Sequence, residues 1–198
     1  MRTRTTCFAV LSLLAFICRA GDLENGVRFY EHKDYAKAAK AYEMAAASGS
    51  VEAQRRLGFM YYHGEGVEQS NSRAVALFVK AADAGDIQSA SNLAKMYEFG
   101  MGTEQDDKRA ADWYRKAAEM GDPMSQFEAS VMYYKGQGVP RDPIEAAKWW
   151  TLAMTQGGAF AERVRVSVES AEAKLTQDEL AEGRRRADEW LRARGTSK

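Results

Sequence analysis

The sequence predicts an all-α solenoid of stacked antiparallel helix pairs, about four of them, closed by a C-terminal capping helix pair. Three observations predict it. Glycines recur at a step of 36 residues, in Gly64, Gly100 and Gly136, in Gly66, Gly102 and Gly138, and in Gly49, Gly85, Gly121 and Gly157. Tyr61, Tyr97 and Tyr133 keep the same step, as do Met60, Met96 and Met132, and Ala38, Ala74, Ala110 and Ala146. Between the glycines the apolar residues have helical spacing, as in Leu57, Met60 and Tyr61, or Ala74, Leu77, Phe78 and Ala81. A unit of this length cannot bury its own apolar face and depends on its neighbours for a core.

Residues 1–20 precede the repeats and differ from them. Arg2 and Arg4 stand before an apolar run from Cys7 to Cys18, followed by Arg19, Ala20 and Gly21. The run is short for a bilayer span and has the basic start and apolar middle of a secretory signal peptide, with a cut after Ala20 and Cys18 at the −3 position. An uncleaved anchor and a lipoprotein are the alternatives, and Ile17 directly before Cys18 argues against the second. Cleavage would export the chain to the periplasm or the medium, with no transmembrane segment left. It would leave 25 basic and 28 acidic residues, a net charge of −3, and no cysteine. Such a chain has neither disulfides nor thiolate–metal sites, so its stability must come from stacking.

Each repeat reads as a first helix ending in G-x-G, where glycine admits positive φ and a turn, then a second, longer helix stopped by Gly49, Gly85, Gly121 or Gly157. Tyr42, Phe78, Tyr114 and Trp150 place one aromatic at the same point of every second helix, with small residues one turn later at Ala45/Ala46, Ala81/Ala82 and Ala117/Ala118. Large against small lets helices approach closely. Ser50, Asp86 and Asp122 follow the stop glycines as N-caps, and Asp122-Pro123 and Asp142-Pro143 are N-cap and N1 proline pairs.

These residues resemble the Sel-one-like repeats, a branch of the tetratricopeptide-like helical repeats. The pattern is matched by Ala53, Leu57, Gly58, Met60, Tyr61, Gly64, Gly66 and Val67, and again by Ala110, Trp113, Tyr114, Lys116, Ala117, Ala118 and Gly121. The resemblance implies a right-handed α-solenoid over residues 21–158 that acts as a non-catalytic scaffold, binding a protein or peptide through its concave face. The first unit, Asp22 to Gly49, follows the tetratricopeptide-like variant through Gly26, Phe29, Ala38, Tyr42 and Ala45, with Lys33, Asp34 and Tyr35 as a short turn in place of G-x-G. Ala94 and Ser130 replace the glycine after leucine, Ala129 replaces leucine and Met154 replaces the second alanine, so the last interface is expected to pack differently. Cysteine-rich secreted members of the family, some linked to penicillin binding or β-lactam hydrolysis, staple each pair with a disulfide, a feature this chain lacks.

After Gly158 the period stops, and residues 159–198 read as capping helices. Phe160, Val164, Val168, Ala171 and Leu175 form one stripe, and Thr176 to Glu179 is a capping box opening a last helix with Leu180, Ala187, Trp190 and Leu191 on one face. Arg184, Arg185, Arg186, Arg192 and Arg194 are expected to form its polar outer side. Gly183 sits inside that helix, where glycine costs about 1 kcal/mol relative to alanine, so close packing is expected there.

The remaining composition is 45% hydrophobic and 28% charged with three prolines, which suits one elongated helical domain, and a net charge of zero gives no reason to expect nucleic acid. No catalytic or metal-ligating set and no cofactor motif is apparent. His32 and His63 are the only histidines and lack metal-ligand spacing. Glu104, Asp106, Asp107, Asp178 and Glu179 fall at helix starts, where carboxylates favour the macrodipole. Trp113, Trp149 and Trp150 lie on packing columns.

What is left for function is surface. With Ala53, Leu57, Met60 and Tyr61 buried, the opposite face of that helix carries Arg55, Phe59 and Tyr62, and the 36-residue step maps them to Ser91, Lys95 and Glu98 and then to Phe127, Val131 and Tyr134. Large apolar residues in such a column suggest a surface for a protein or peptide partner of a monomer, or else residues partly covered by neighbouring helices. A cell-envelope enzyme or a direct peptidoglycan or ligand binder is the alternative reading.

Overall fold

The computed structural model describes residues 21–195; the signal-peptide reading of residues 1–20 lies outside them. The described residues form ten helices and no strand: α1 (21–31), α2 (Tyr35–Ala47), α3 (Val51–His63), α4 (Asn71–Asp83), α5 (Ile87–Phe99), α6 (Asp107–Met120), α7 (Pro123–Lys135), α8 (Pro143–Thr155), α9 (Gly158–Glu172) and α10 (Gln177–Ala193). They belong to two compact units, one ending at Ser89 and the other starting at Ala90, so the division falls inside α5. In the first unit α2 packs on α3 and α3 on α4; in the second α6 packs on α7, and α7 and α10 both pack on α8. The second helix is longer in only one of the last three pairs, with α6 at 14 residues to the 13 of α5, while α3, α4, α7 and α8 have 13 each. The loop after the G-x-G is what fills the rest of the period.

Helix ends repeat as closely as the sequence does. Gly64 and Gly136 are left-handed C-caps, and the next residue, Glu65 or Gln137, donates its N–H to the carbonyl of Met60 or Met132 at 3.0 Å. That bond closes the helix with a Schellman turn, which only a residue at ease with positive φ allows. The N-cap of each following helix then donates back to the tyrosine column: Ser70 to Tyr61, Asp106 to Tyr97 and Asp142 to Tyr133, at 2.8–2.9 Å. Asp86, Asp106, Asp122 and Asp142 each accept a backbone N–H of the first turn, at 2.7–3.0 Å. In the first unit Lys33 (φ 60) takes the place of the glycine, and Asp34, without a capping bond, pairs with Lys37.

The aromatic column is buried, and its first two members rest on glycine. A Cβ at Gly26 would lie 2.5 Å from the Tyr42 ring, and one at Gly58 would lie 2.7 Å from the Phe78 ring. For Tyr42 and Phe78 a small partner is thus on the first helix of the pair.

At the C-terminal end α10, rather than α9, makes the broad contact with α8. Gly183 is buried, and a Cβ there would meet that of Ala147 at 2.4 Å, so the close packing expected from the sequence is found. Val164, Val168, Leu175 and Leu180 complete a core with Ala146, Ala147 and Trp150. The arginines are not simply an outer face. Arg194 donates to the Glu119 and Met120 carbonyls at the end of α6, and Arg186 reaches Glu145 of α8 at 3.5 Å. Arg185 pairs along its own helix with Glu182 and Glu189.

Candidate functional site

In the first unit the face of α3 opposite its core carries Arg55, Phe59 and Tyr62, all half-buried. Arg55 is saturated: it pairs with Glu52, with Asp86 at 3.3 Å and with the Gln88 side chain at 2.5 Å, tying α3 to the start of α5. Phe59 meets the Phe78 ring edge-on, with centroids 5.1 Å apart, and lies nearly parallel to His63. Tyr62 meets the same histidine ring edge-on at 4.9 Å. Beside this face is an open groove of about 250 Å³, bordered by Tyr30, Arg55, Arg56, Phe59, His63 and Glu65 over a floor of Tyr42 and Met60.

Polar groups in the groove are unevenly satisfied. Tyr30 donates to a Glu65 carboxylate oxygen at 2.7 Å, and that bond is the main cause of a phenol pKa pushed up to about 12. Arg56 donates through Nε to Glu52 at 2.5 Å. Tyr42 is fully buried, yet its hydroxyl has no hydrogen-bond partner. Burial pushes this phenol up, and the nearby Arg56 charge opposes the shift.

In the second unit the same register gives an exposed Lys95 and half-buried Ser91 and Glu98 on α5, and half-buried Phe127, Val131 and Tyr134 on α7. Glu98 accepts from the Tyr114 hydroxyl at 2.8 Å. Phe127 and Tyr134 are tied to the C-terminal helices: both pack against the Ala146–Trp150–Val168 core, Phe127 edge-on to Phe160 and Tyr134 with its ring 6.2 Å from Trp150. Of the two origins the sequence allowed for this column, partial cover by neighbouring helices holds for these two residues.

Glu128, on α7, has its carboxyl raised above the ordinary 4.5, first by burial and then by Glu98, with Lys95 and Lys135 opposing. A raised carboxyl favours folding while protonated, and that contribution is lost as pH rises through the raised value. At neutral pH the ionised group therefore weighs against the fold. Glu128→Gln is expected to raise the melting temperature at pH 7.5 and to leave it unchanged well below pH 4.5; an equal rise at both would show that the charge is not the cause.

The sequence pointed to Arg55 and Phe59 but not to Tyr30, Arg56 or Glu65, which complete the groove. A signal existed in the middle residue of G-x-G. Glu65 reaches back to Tyr30 in the preceding pair, and Gln137, 72 positions on, donates to Asp107 at 3.2 Å. Trp149 and Trp150 are buried, as their columns suggest, while Trp113 is half-buried with Lys116 Nζ 3.8 Å from its ring centroid. Among the described residues no group of three or more His, Cys, Asp or Glu side chains could hold a metal ion, and no helix is long and apolar enough to cross a membrane.

Helix pairs repeated every 36 residues, with caps and close contacts in register, define a helical-repeat solenoid protein. The profile of the Sel1 repeat matches residues 18–50, 51–86, 87–122 and 123–158, and the chain belongs to that family. Sel1 repeat proteins are in general non-catalytic, protein-interaction scaffolds. Among solved structures it is similar to c5321, a protective antigen of uropathogenic Escherichia coli with an SLR fold, at 29% identity and a TM-score of 0.74 over 90% of this chain. A Sel1 repeat protein from Oxalobacter formigenes is 30% identical over 68% of the chain, with a TM-score of 0.64. Helicobacter pylori cysteine rich protein B is 25% identical over 66%, with a TM-score of 0.50. The chain spans 38% of the length of the first of these, 56% of the second and 94% of the third. No curated protein matches it.

Proposed function

We propose that this chain is an exported, non-catalytic and monomeric scaffold that binds a protein or peptide along the first-helix face, the face that lines the concave side of helical solenoids. The observation that carries the reading is the groove beside Arg55 and Phe59, an open depression bordered by aromatic and charged side chains on the half-buried face of α3. Lys95 and Glu98 continue that register on α5. Export rests on Arg2, Arg4 and the run from Cys7 to Cys18, and predicts a mature N-terminus at Gly21.

The test is capture from a cell-envelope extract by the mature chain and by a Tyr62→Ala/Lys95→Ala variant, with bound proteins quantified by mass spectrometry. Aromatic anchors at the centre of an interface are worth about 2 kcal/mol or more. A specific partner should therefore fall more than about tenfold in the variant while helical circular dichroism and melting temperature stay near wild type. Unchanged capture would place recognition on another face.

A further inference from the structure

Tyr42 is the least expected feature of the groove. Its hydroxyl is buried without a hydrogen-bond partner, although such groups destabilise a fold and are uncommon in native proteins. Phenylalanine would fill the same space beside Gly26 without that cost, since only the ring makes the contact there. The neighbouring Arg56 is also under-used. Its guanidinium donates through Nε to a Glu52 that it shares with Arg55, and it otherwise faces the Tyr42 hydroxyl, which no acceptor holds. Arg55 donates to Gln88 and Glu52, pairs with Asp86, and is committed to holding α3 against the start of α5. The Glu65 carboxylate is held by Tyr30. Donor capacity in the groove is thus concentrated on Tyr42 Oη and Arg56 Nη, next to the apolar surface of Phe59 and Met60.

Resting on the reading of this face as a peptide-binding one, we infer that the groove recognises an acidic peptide: one Asp or Glu carboxylate is held between Tyr42 Oη and the Nη edge of Arg56, and an adjacent apolar side chain lies on Phe59. A planar guanidinium edge and a phenol O–H are both donors, and a carboxylate offers two acceptor oxygens to match them. A cationic side chain would set like charges together beside Arg56. A purely apolar one would leave the Tyr42 hydroxyl as it is.

The experiment is selection of random peptides of about twelve residues displayed on phage against the full-length mature chain, with Phe59→Ala in parallel to mark peptides that use the groove. The preferred groove-dependent peptide is synthesised with its acid intact and with that acid as the amide. Both are titrated against wild type and Tyr42→Phe by fluorescence anisotropy. The expected result is enrichment of Asp or Glu beside an aromatic or aliphatic residue, and loss of about tenfold in affinity for the amide peptide and for Tyr42→Phe alike. Tyr42→Phe should melt no lower than wild type, so a folding defect cannot account for its loss. Groove-dependent peptides without an acid, or equal affinity of Tyr42→Phe and wild type, overturn the acidic-ligand inference and leave the peptide-binding reading standing. No Phe59-dependent enrichment of any kind overturns both.

Discussion

Alanine at Gly66 or at Gly138 is expected to destabilise the protein by about 3 kcal/mol or more, against about 1 kcal/mol at Gly85 or Gly121. All four residues have positive φ, between 68° and 101°, so each substitution incurs the cost of a Cβ in the left-handed region. They differ in what that Cβ would meet. At Gly85 nothing lies within 4 Å, and at Gly121 only an Arg194 nitrogen does, at 3.8 Å. At Gly66 it would lie 2.3–2.6 Å from the backbone of Tyr35 and Ala36, and at Gly138 it would lie 2.1–2.8 Å from that of Asp107 and Lys108. Those atoms begin the second helix of the preceding pair, and a helix backbone cannot turn aside as a side chain can. The loop would have to lift from its neighbour, and overpacking of that kind costs about 1–3 kcal/mol beyond the conformational term. In thermal melts this separates a fall of roughly 6 °C or more from one of roughly 2–4 °C, for a chain of this size. Equal losses at all four positions would show that the loop slides freely and that the contact holds nothing in place.

The contrast between these glycines marks how far the sequence could be read. The step of 36 residues, the N-caps at Asp86, Asp122 and Asp142 and the capping box at Thr176 are local chemistry, and local chemistry is visible in one dimension. Both glycines of G-x-G look alike in the sequence because both need positive φ. Only the structure distinguishes Gly64, which turns the chain, from Gly66, which lies against the helix before it. The candidate site was legible to the same degree. Helical phase placed Arg55 and Phe59 off the core face, but phase within α3 cannot reveal Tyr30 of α1 or Glu65 of the next loop, which arrive by packing between pairs. Nor can it show that α9 supplies Phe160 to cover Phe127, because the period has already ended there.

Gly183 and Ala147 offer the sharpest test of how the repeat array is closed. Gly183 has an ordinary helical φ, so alanine there should gain about 1 kcal/mol of helix propensity if the site were open. The site is not open: the new methyl would lie 2.4 Å from the Ala147 Cβ and 3.0 Å from both the Ile144 oxygen and the Lys148 nitrogen. Relief would require α10 to withdraw from α8, weakening the Arg186–Glu145 pair and the Trp149–Trp190 contact together. The steric term should win, giving a net loss of about 2–3 kcal/mol for Gly183→Ala in spite of the gain in propensity. Ala147→Gly alone should cost about 1 kcal/mol or somewhat more, from helix propensity and a small void. In the double variant the methyl has moved from one helix to the other and the two propensity changes cancel. It should recover at least half of the stability that Gly183→Ala loses, a coupling well above the roughly 0.5 kcal/mol seen between independent sites. Urea denaturation of the wild type, both single variants and the double variant measures that coupling directly. Simple additivity of the two single losses would mean that α10 does not close on α8 through this pair of residues.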